Sequence, residues 1–182
     1  MDLFLFALML VVFESVILAA VTRWFPGEPY TVSVVPLITA IVLIRWGLWA
    51  GIHAILGGLV LCVGLSASLP QYAFYMLGNL AALLSLPLLR FIGGKDEVSS
   101  RSGKALLFGL IVLALMQSGR ALISLLFGAS PAVAAGFFTT ETVTDLFTLI
   151  VLWIVRRLDG VLEDQVHYLR RLREEQESAA RY

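Results

Sequence analysis

The chain has 182 residues, of which 59% are hydrophobic and only 14% charged, with a mean hydropathy of +0.91 and a formal net charge of zero. Soluble domains carry about a quarter charged residues, so this composition excludes one and points to an integral membrane protein. The balanced charge offers no nucleic-acid footprint, and a lone cysteine, Cys62, excludes an internal disulfide and reads as a small buried hydrophobe.

Apolar runs place spans at about 3–22, 32–48, 50–68, 71–91, 104–127 and 138–157, each near the length that crosses a bilayer. The expected fold is an all-α polytopic membrane protein: a six-helix transmembrane domain over 1–157 and an amphipathic C-terminal cytoplasmic helix over 158–182. The runs are continuously apolar rather than alternating, which argues against a β-barrel. The first span lacks a basic leader, carries Glu14, and leads into Arg23-Trp24-Phe25-Pro26-Gly27, so it reads as a retained helix rather than a signal peptide. Two prolines and a glycine at 26–29 separate spans one and two, and Arg45-Trp46-Gly47 makes a very tight turn between two and three. Leu69-Pro70-Gln71, Gly93 to Gly103 and Gly128-Ala129-Ser130-Pro131 mark the remaining breaks.

Positive charge sets the orientation. Arg90, Lys95, Arg101 and Lys104 cluster between spans four and five, and Arg156, Arg157, Arg170, Arg171 and Arg173 follow span six. Both segments belong in the cytoplasm of a cell-membrane protein, which places both termini and Arg45 there too. The segments 23–31, 69–71 and 128–137 then form irregular outer loops.

Polar side chains inside the spans fall in one layer. Gln71, Tyr75 and Asn79 recur at i, i+4 and i+8 of span four, with Tyr72 alongside; span five carries Gln117 and Arg120, and span six carries Glu141 and Asp145. Three helices thus direct hydrogen-bonding groups to the outer half of the membrane, and these eight residues are the expected ligand-binding set. A charge at that depth needs a partner, which for Arg120 is Glu141, Asp145 or a ligand. Structural ion pairing is the competing reading for each. Glu14 stands alone among Phe, Val and Ile near this layer, between the roles of packed carboxyl, member of the Arg120 network and proton relay. His53 reads as an interhelical hydrogen-bonder. Its only fellow, His167, lies in the tail, so no metal site and no cofactor are expected.

Small residues four apart, Gly47 with Gly51, Ala50 with Ala54, and Ala54 with Gly58, suit close helix packing, between spans two and three or against a partner subunit. In the tail, Leu158, Val161, Leu162, Val166, Leu169 and Leu172 recur at helical spacing among charges. Gly47, Gly51, Ala54, Gly58, Leu162, Val166 and Leu169 are therefore the expected partner contacts, and Glu175 to Tyr182 the frayed end.

The six-span layout, the run Gly-Leu-Trp-Ala-Gly-Ile-His-Ala-Ile-Leu-Gly-Gly at 47–58, the string Tyr75-Met76-Leu77-Gly78-Asn79-Leu80 and the Arg-Arg-Leu-Asp-Gly-x-x-Glu-Asp-Gln segment at 156–165 resemble the substrate-binding S components of energy-coupling factor (ECF) transporters. The resemblance implies a subunit that binds a vitamin or similar micronutrient and works with a transmembrane T component and two cytoplasmic ATPases. The first span has Ala7, Ala19 and Ala20 in place of the Ala-x-x-x-Ala with which many S components contact the T component. The chain has no P-loop and no hydrolase or metalloprotease motif, so ATP hydrolysis would fall to separate subunits and an enzyme is not expected. The competing class is a non-transporting scaffold similar to the rod-shape-determining membrane protein D family. A proton-driven carrier acting through Glu14 would be expected to show inverted repeats, and no convincing internal repeat is visible.

Overall fold

A computed structural model describes residues 2–26, 32–158 and 161–179. Residues 1, 27–31, 159–160 and 180–182, which include much of the first expected loop and the last residues of the tail, lie outside the described residues. Every regular element among the described residues is helical: α1 (Asp2–Trp24), α2 (Val35–Trp46), α3 (Ala50–Gly64), α4 (Leu69–Asn79), α5 (Ser85–Ile92), α6 (Gly94–Ser100), α7 (Ser102–Leu126), α8 (Pro131–Thr139), α9 (Thr142–Val155) and α10 (Gln165–Ala179). Short 3-10 turns join α2 to α3 at Gly47–Trp49 and α4 to α5 at Leu80–Leu84.

Five helical runs, Asp2–Trp24, Val35–Gly64, Leu69–Ile92, Ser102–Leu126 and Pro131–Val155, are long and apolar enough to cross a membrane. The count differs from six because α2 and α3, at 12 and 15 residues, each fall short of the roughly 20 that a bilayer asks and qualify only together. They are nevertheless not one rod. Gly47 has φ +61° and ψ −119°, a conformation closed to L side chains, and it turns the chain back so that Val35 packs on Gly57. Contacts fix the direction of every neighbour. Asp2 lies near Arg45 and Glu14 near Val34, Ala54 meets Asn79, Phe74 meets Phe127, and Gly109 meets Leu152. Hence α1, α2, α3, α4–α5, α7 and α8–α9 alternate in direction.

The centre of the bundle is α2. Residues 33–45 are all buried, and α1, α3, α6, α7 and α9 pack around them. A helix apolar on every side has no solvent-facing stripe, and here all its sides meet protein. By contrast α1 buries only Leu10, Glu14 and Leu18, one face at i, i+4 and i+8, and exposes Phe4, Leu5, Leu8, Val12, Phe13 and Val16. That apolar exterior suits lipid.

Five expectations about segments are corrected. The expected outer loop at 128–137 is largely helical: Ser130 caps α8, its hydroxyl accepting from the Val133 N–H at 3.4 Å, and the break before α9 falls later, at Thr140–Glu141. The 91–103 loop contains α6, with Val98 buried under it. The tail does not extend from the last span, since the helix ends at Val155 and α10 begins only at Gln165. The apolar stripe is also split, because Leu162 is buried in the main core while Val166 and Leu169 stay exposed. Finally, α10 continues through Ala179 instead of fraying from Glu175.

Charge pairs fasten the tail to the base. The Arg45 guanidinium donates to the Val161 carbonyl at 3.0 Å and to Gln165 at 2.8 Å, and Arg156 donates to the Ser100 carbonyl at 2.5 Å. Lys95 pairs with Asp164 at 2.5 Å, and His167 approaches Asp96 at 3.3 Å. Partial burial works against ionisation of Asp164, but the Lys95 ammonium and the Val166 and His167 N–H groups outweigh it and hold its carboxyl below the usual range. Glu97 is held low chiefly by its hydrogen bond from Lys104.

Candidate functional site

The polar layer forms near the end of the bundle opposite Arg45, where glycine permits two helices to touch. A Cβ on Gly119 would lie 2.2 Å from the Gly78 carbonyl oxygen, and one on Gly78 would lie 2.6 Å from Arg120 Cα. This contact of α4 with α7 carries Arg120 into the core, where it is 1% exposed. An isolated guanidinium there would cost several kcal/mol. Its Nε donates to Asn79 Oδ1 at 2.7 Å, and one Nη donates to Gln117 Oε1 and Glu141 Oε1, both at 3.2 Å. The guanidinium carbon lies 5.1 Å from the centre of the Tyr75 ring, on which the cation is attracted to the π-face. Asn79 is itself oriented by donating to the Ala54 carbonyl at 3.1 Å. Glu141 occupies the N-cap position of α9 without a side-chain cap bond, at an end where the helix dipole favours a carboxylate.

Above this layer lies a cavity of about 210 Å³ lined by Gln71, Phe74, Tyr75, Val133, Gly136, Phe137 and Thr140. Tyr75 is its floor and the α8 residues its opposite wall; the Tyr75 and Phe137 rings meet edge to face at 5.9 Å. Arg120 is not among the lining residues and touches the cavity only through the Tyr75 ring, at cation–π distance.

The structure gathers Asn79, Gln117, Arg120 and Glu141 into one hydrogen-bonded cluster with Tyr75 against it, and Glu141 is the Arg120 carboxylate at hydrogen-bond distance. Asp145 is half-buried within electrostatic reach of Glu141 and Arg120, without a direct bond to the guanidinium. Gln71 lines the cavity, but its amide oxygen accepts from the Ser68 N–H at 2.7 Å and hydroxyl at 2.9 Å, so it closes the cap of α4. Tyr72, one residue on, falls outside both the cluster and the cavity lining.

Two groups of expected partner contacts are corrected. Gly51 faces Leu80 and Leu83 of the 3-10 turn, Gly58 faces the Tyr75 backbone, and Ala54 is fully buried, so this small-residue face seats α4 and the turn after it within the chain rather than a second subunit or α2. Gly47 serves the turn, and α2 packs on Gly57 instead. Leu162 is core, which leaves Val166 and Leu169 of the expected tail contacts open. His53 links α3 to α1, its ring nitrogens facing the Leu3 carbonyl at 3.2 Å and the Trp49 carbonyl at 3.4 Å.

Sequence reasoning missed Phe74 and Phe137, the latter hidden when 128–137 is read as a loop; Thr140, one of the threonines 139, 140, 142 and 144 that the sequence places around Glu141 and Asp145, follows α8 and joins the cavity lining. It also missed Ser33, whose N–H donates to the Thr144 hydroxyl at 3.1 Å and ties the start of α2 to α9. No protein-family model, curated protein or solved structure matches this chain.

Proposed function

We propose that this chain is a membrane-embedded subunit that binds a small solute in the cavity over Tyr75, in the manner of an ECF S component taking up a vitamin or similar micronutrient. The observation that carries the reading is a cavity with an aromatic floor resting on a buried, immobilised guanidinium. Rings such as Tyr75 and Phe137 suit a flat solute, while Gln71 and Thr140 supply hydrogen-bonding groups at the rim. A T component and two ATPases would energise uptake, since the chain has no nucleotide-binding motif.

The test is binding measured beside folding. Full-length protein purified from cells grown on rich medium will carry a small molecule detectable by mass spectrometry. Tyr75→Ala and Phe137→Ala will each lower its recovery by about tenfold, the scale of one lost aromatic contact plus its buried area, and the exposed Leu110→Ala will not. Absence of any bound molecule, or equal recovery from all four proteins at equal melting temperature, would reject the solute reading.

The reading includes six crossings of the cell membrane, α2 and α3 each making one, with both termini and the Arg45 end cytoplasmic. Lys95, Arg101, Lys104, Arg156 and Arg157 gather at that end, as the positive-inside rule asks. Because Val98 is buried, the exposed Ser100 is the proper reporter. Ser100→Cys will resist an impermeant thiol reagent in intact cells and react after permeabilisation; reaction in intact cells would invert the orientation and turn the cavity to the wrong face.

A second reading, a scaffold similar to the rod-shape-determining membrane protein D family, is favoured by the seating of Arg120 on Asn79, Gln117 and Glu141 of the chain itself and by the exposed Val166 and Leu169 of α10. Recovery of an ATPase pair with the tagged chain separates the two, since a scaffold has no use for one.

A further inference from the structure

The Arg120 layer holds more negative than positive charge. Glu14 from α1 and Glu141 and Asp145 from α9 surround one guanidinium. Glu141 takes the ion pair at 3.2 Å, and Asp145 is only half-buried. Glu14 is 0% exposed and, among the described residues, has no cation in ion-pair contact. Its Oε2 accepts the Val34 N–H at 2.9 Å and the Ser33 hydroxyl is a further neighbour of the carboxyl, whereas its fully buried Oε1 has, among the described residues, no partner within hydrogen-bond distance. A carboxylate in that position would cost several kcal/mol, and such groups are neutralised rather than left charged.

We propose that Glu14 is a proton-binding site: Oε1 carries the proton while Oε2 remains the carbonyl acceptor for Val34. Loading forms one O–H bond with a proton taken from water, and release returns it to water. A proton suits the site because the orphan oxygen sits in packed protein and calls for no further cavity. Release adds a further carboxylate within electrostatic reach of Arg120, beside Glu141 and Asp145, and sets it in competition with Glu141, so occupancy at α1 is linked to the seating of the guanidinium against Tyr75. The groups facing this layer are Cys62 from α3, Tyr75 from α4, Arg120 from α7, and Glu141 and Asp145 from α9. The only titratable side chain of α2, Arg45, lies at the opposite end. The inference stands apart from the solute reading, since it concerns α1 and needs no ligand in the cavity.

Infrared spectroscopy of the full chain in lipid tests it. At neutral pH the wild-type protein will show the carbonyl stretch of a protonated carboxylic acid, shifted by isotope-labelled glutamate but not by labelled aspartate, and removed by raising the pH. The band will be lost in Glu14→Gln and kept in Glu141→Gln and Asp145→Asn. Absence of the band, a shift only with labelled aspartate, or persistence in Glu14→Gln would overturn the assignment. If Glu14→Gln does not fold, Glu141→Gln decides: loss of the glutamate-sensitive band there would move the proton to Glu141 and overturn it equally. Exchanging choline for sodium will leave the band unchanged; its loss in sodium would make the site one for a metal cation instead.

Discussion

Arg120→Ala will lower stability by about 3–5 kcal/mol, the usual cost of removing one member of a buried ion pair and leaving the other uncompensated. The charge that remains is Glu141, 5% exposed, and the amides of Asn79 and Gln117 lose their shared donor at the same time. Thermal unfolding in detergent, followed by the loss of helical signal, measures the change. Replacing both partners, as in Arg120→Met with Glu141→Gln, will recover a substantial part, because it removes the uncompensated charge along with the pair. A double variant no more stable than Arg120→Ala would mean that Glu141 is not the group holding the guanidinium. Glu141→Gln alone is expected to cost less than Arg120→Ala, since the guanidinium keeps Asn79, Gln117 and the Tyr75 face.

The second large effect concerns packing. Gly119→Ala will destabilise the protein by about 1–3 kcal/mol or more, the range for overpacking a close-fitted core, because the new methyl would sit 2.2 Å from the Gly78 carbonyl oxygen and 2.6 Å from Ala81 Cβ. A backbone oxygen has no rotamer by which to move aside, so α4 and α7 must separate and Arg120 must shift with them. Gly103→Ala, at the start of the same helix with nothing within 4 Å of its Cβ, will instead be neutral or slightly stabilising, as removal of glycine from a helix interior usually is. Equal melting temperatures for the two variants would refute close approach at Gly78. The same contact predicts that solute recovery falls in Gly119→Ala more steeply than in core variants of matched stability, since Tyr75 and Arg120 both ride on these helices.

Much of this architecture was legible in the order of residues. Long apolar runs broken by Pro and Gly yield an all-helical chain with helices fit to cross a membrane, because lipid leaves each backbone to satisfy itself and only these lengths reach across. Helical spacing put each set of polar groups on one face and the alternation of spans put Asn79, Arg120 and Glu141 in one half of the bundle, while the cost of a buried charge called for a partner to Arg120, left open between Glu141, Asp145 and a ligand. The tight reversal at Gly47 was equally visible, as only glycine readily takes the backbone found there.

What the sequence did not determine was which side of each helix meets protein. In a soluble helix the apolar face is the buried one, but in lipid every face is apolar, so periodicity distinguishes a core residue from a lipid-facing one poorly. For that reason nothing in the run Val35–Trp46 marks α2 as the central helix, and the small-residue stripe of α3 gives no sign that it faces α4. The Gly78–Gly119 contact joins two glycines on different helices, invisible to any spacing rule within one segment. Only the tertiary structure brings Glu14 against the start of α2, ties the Gln71 amide oxygen into the α4 cap at the rim of the cavity, and folds 131–139 into the cavity wall. These outcomes depend on contacts between segments far apart in the chain, and their geometry is settled by close packing rather than by local preference.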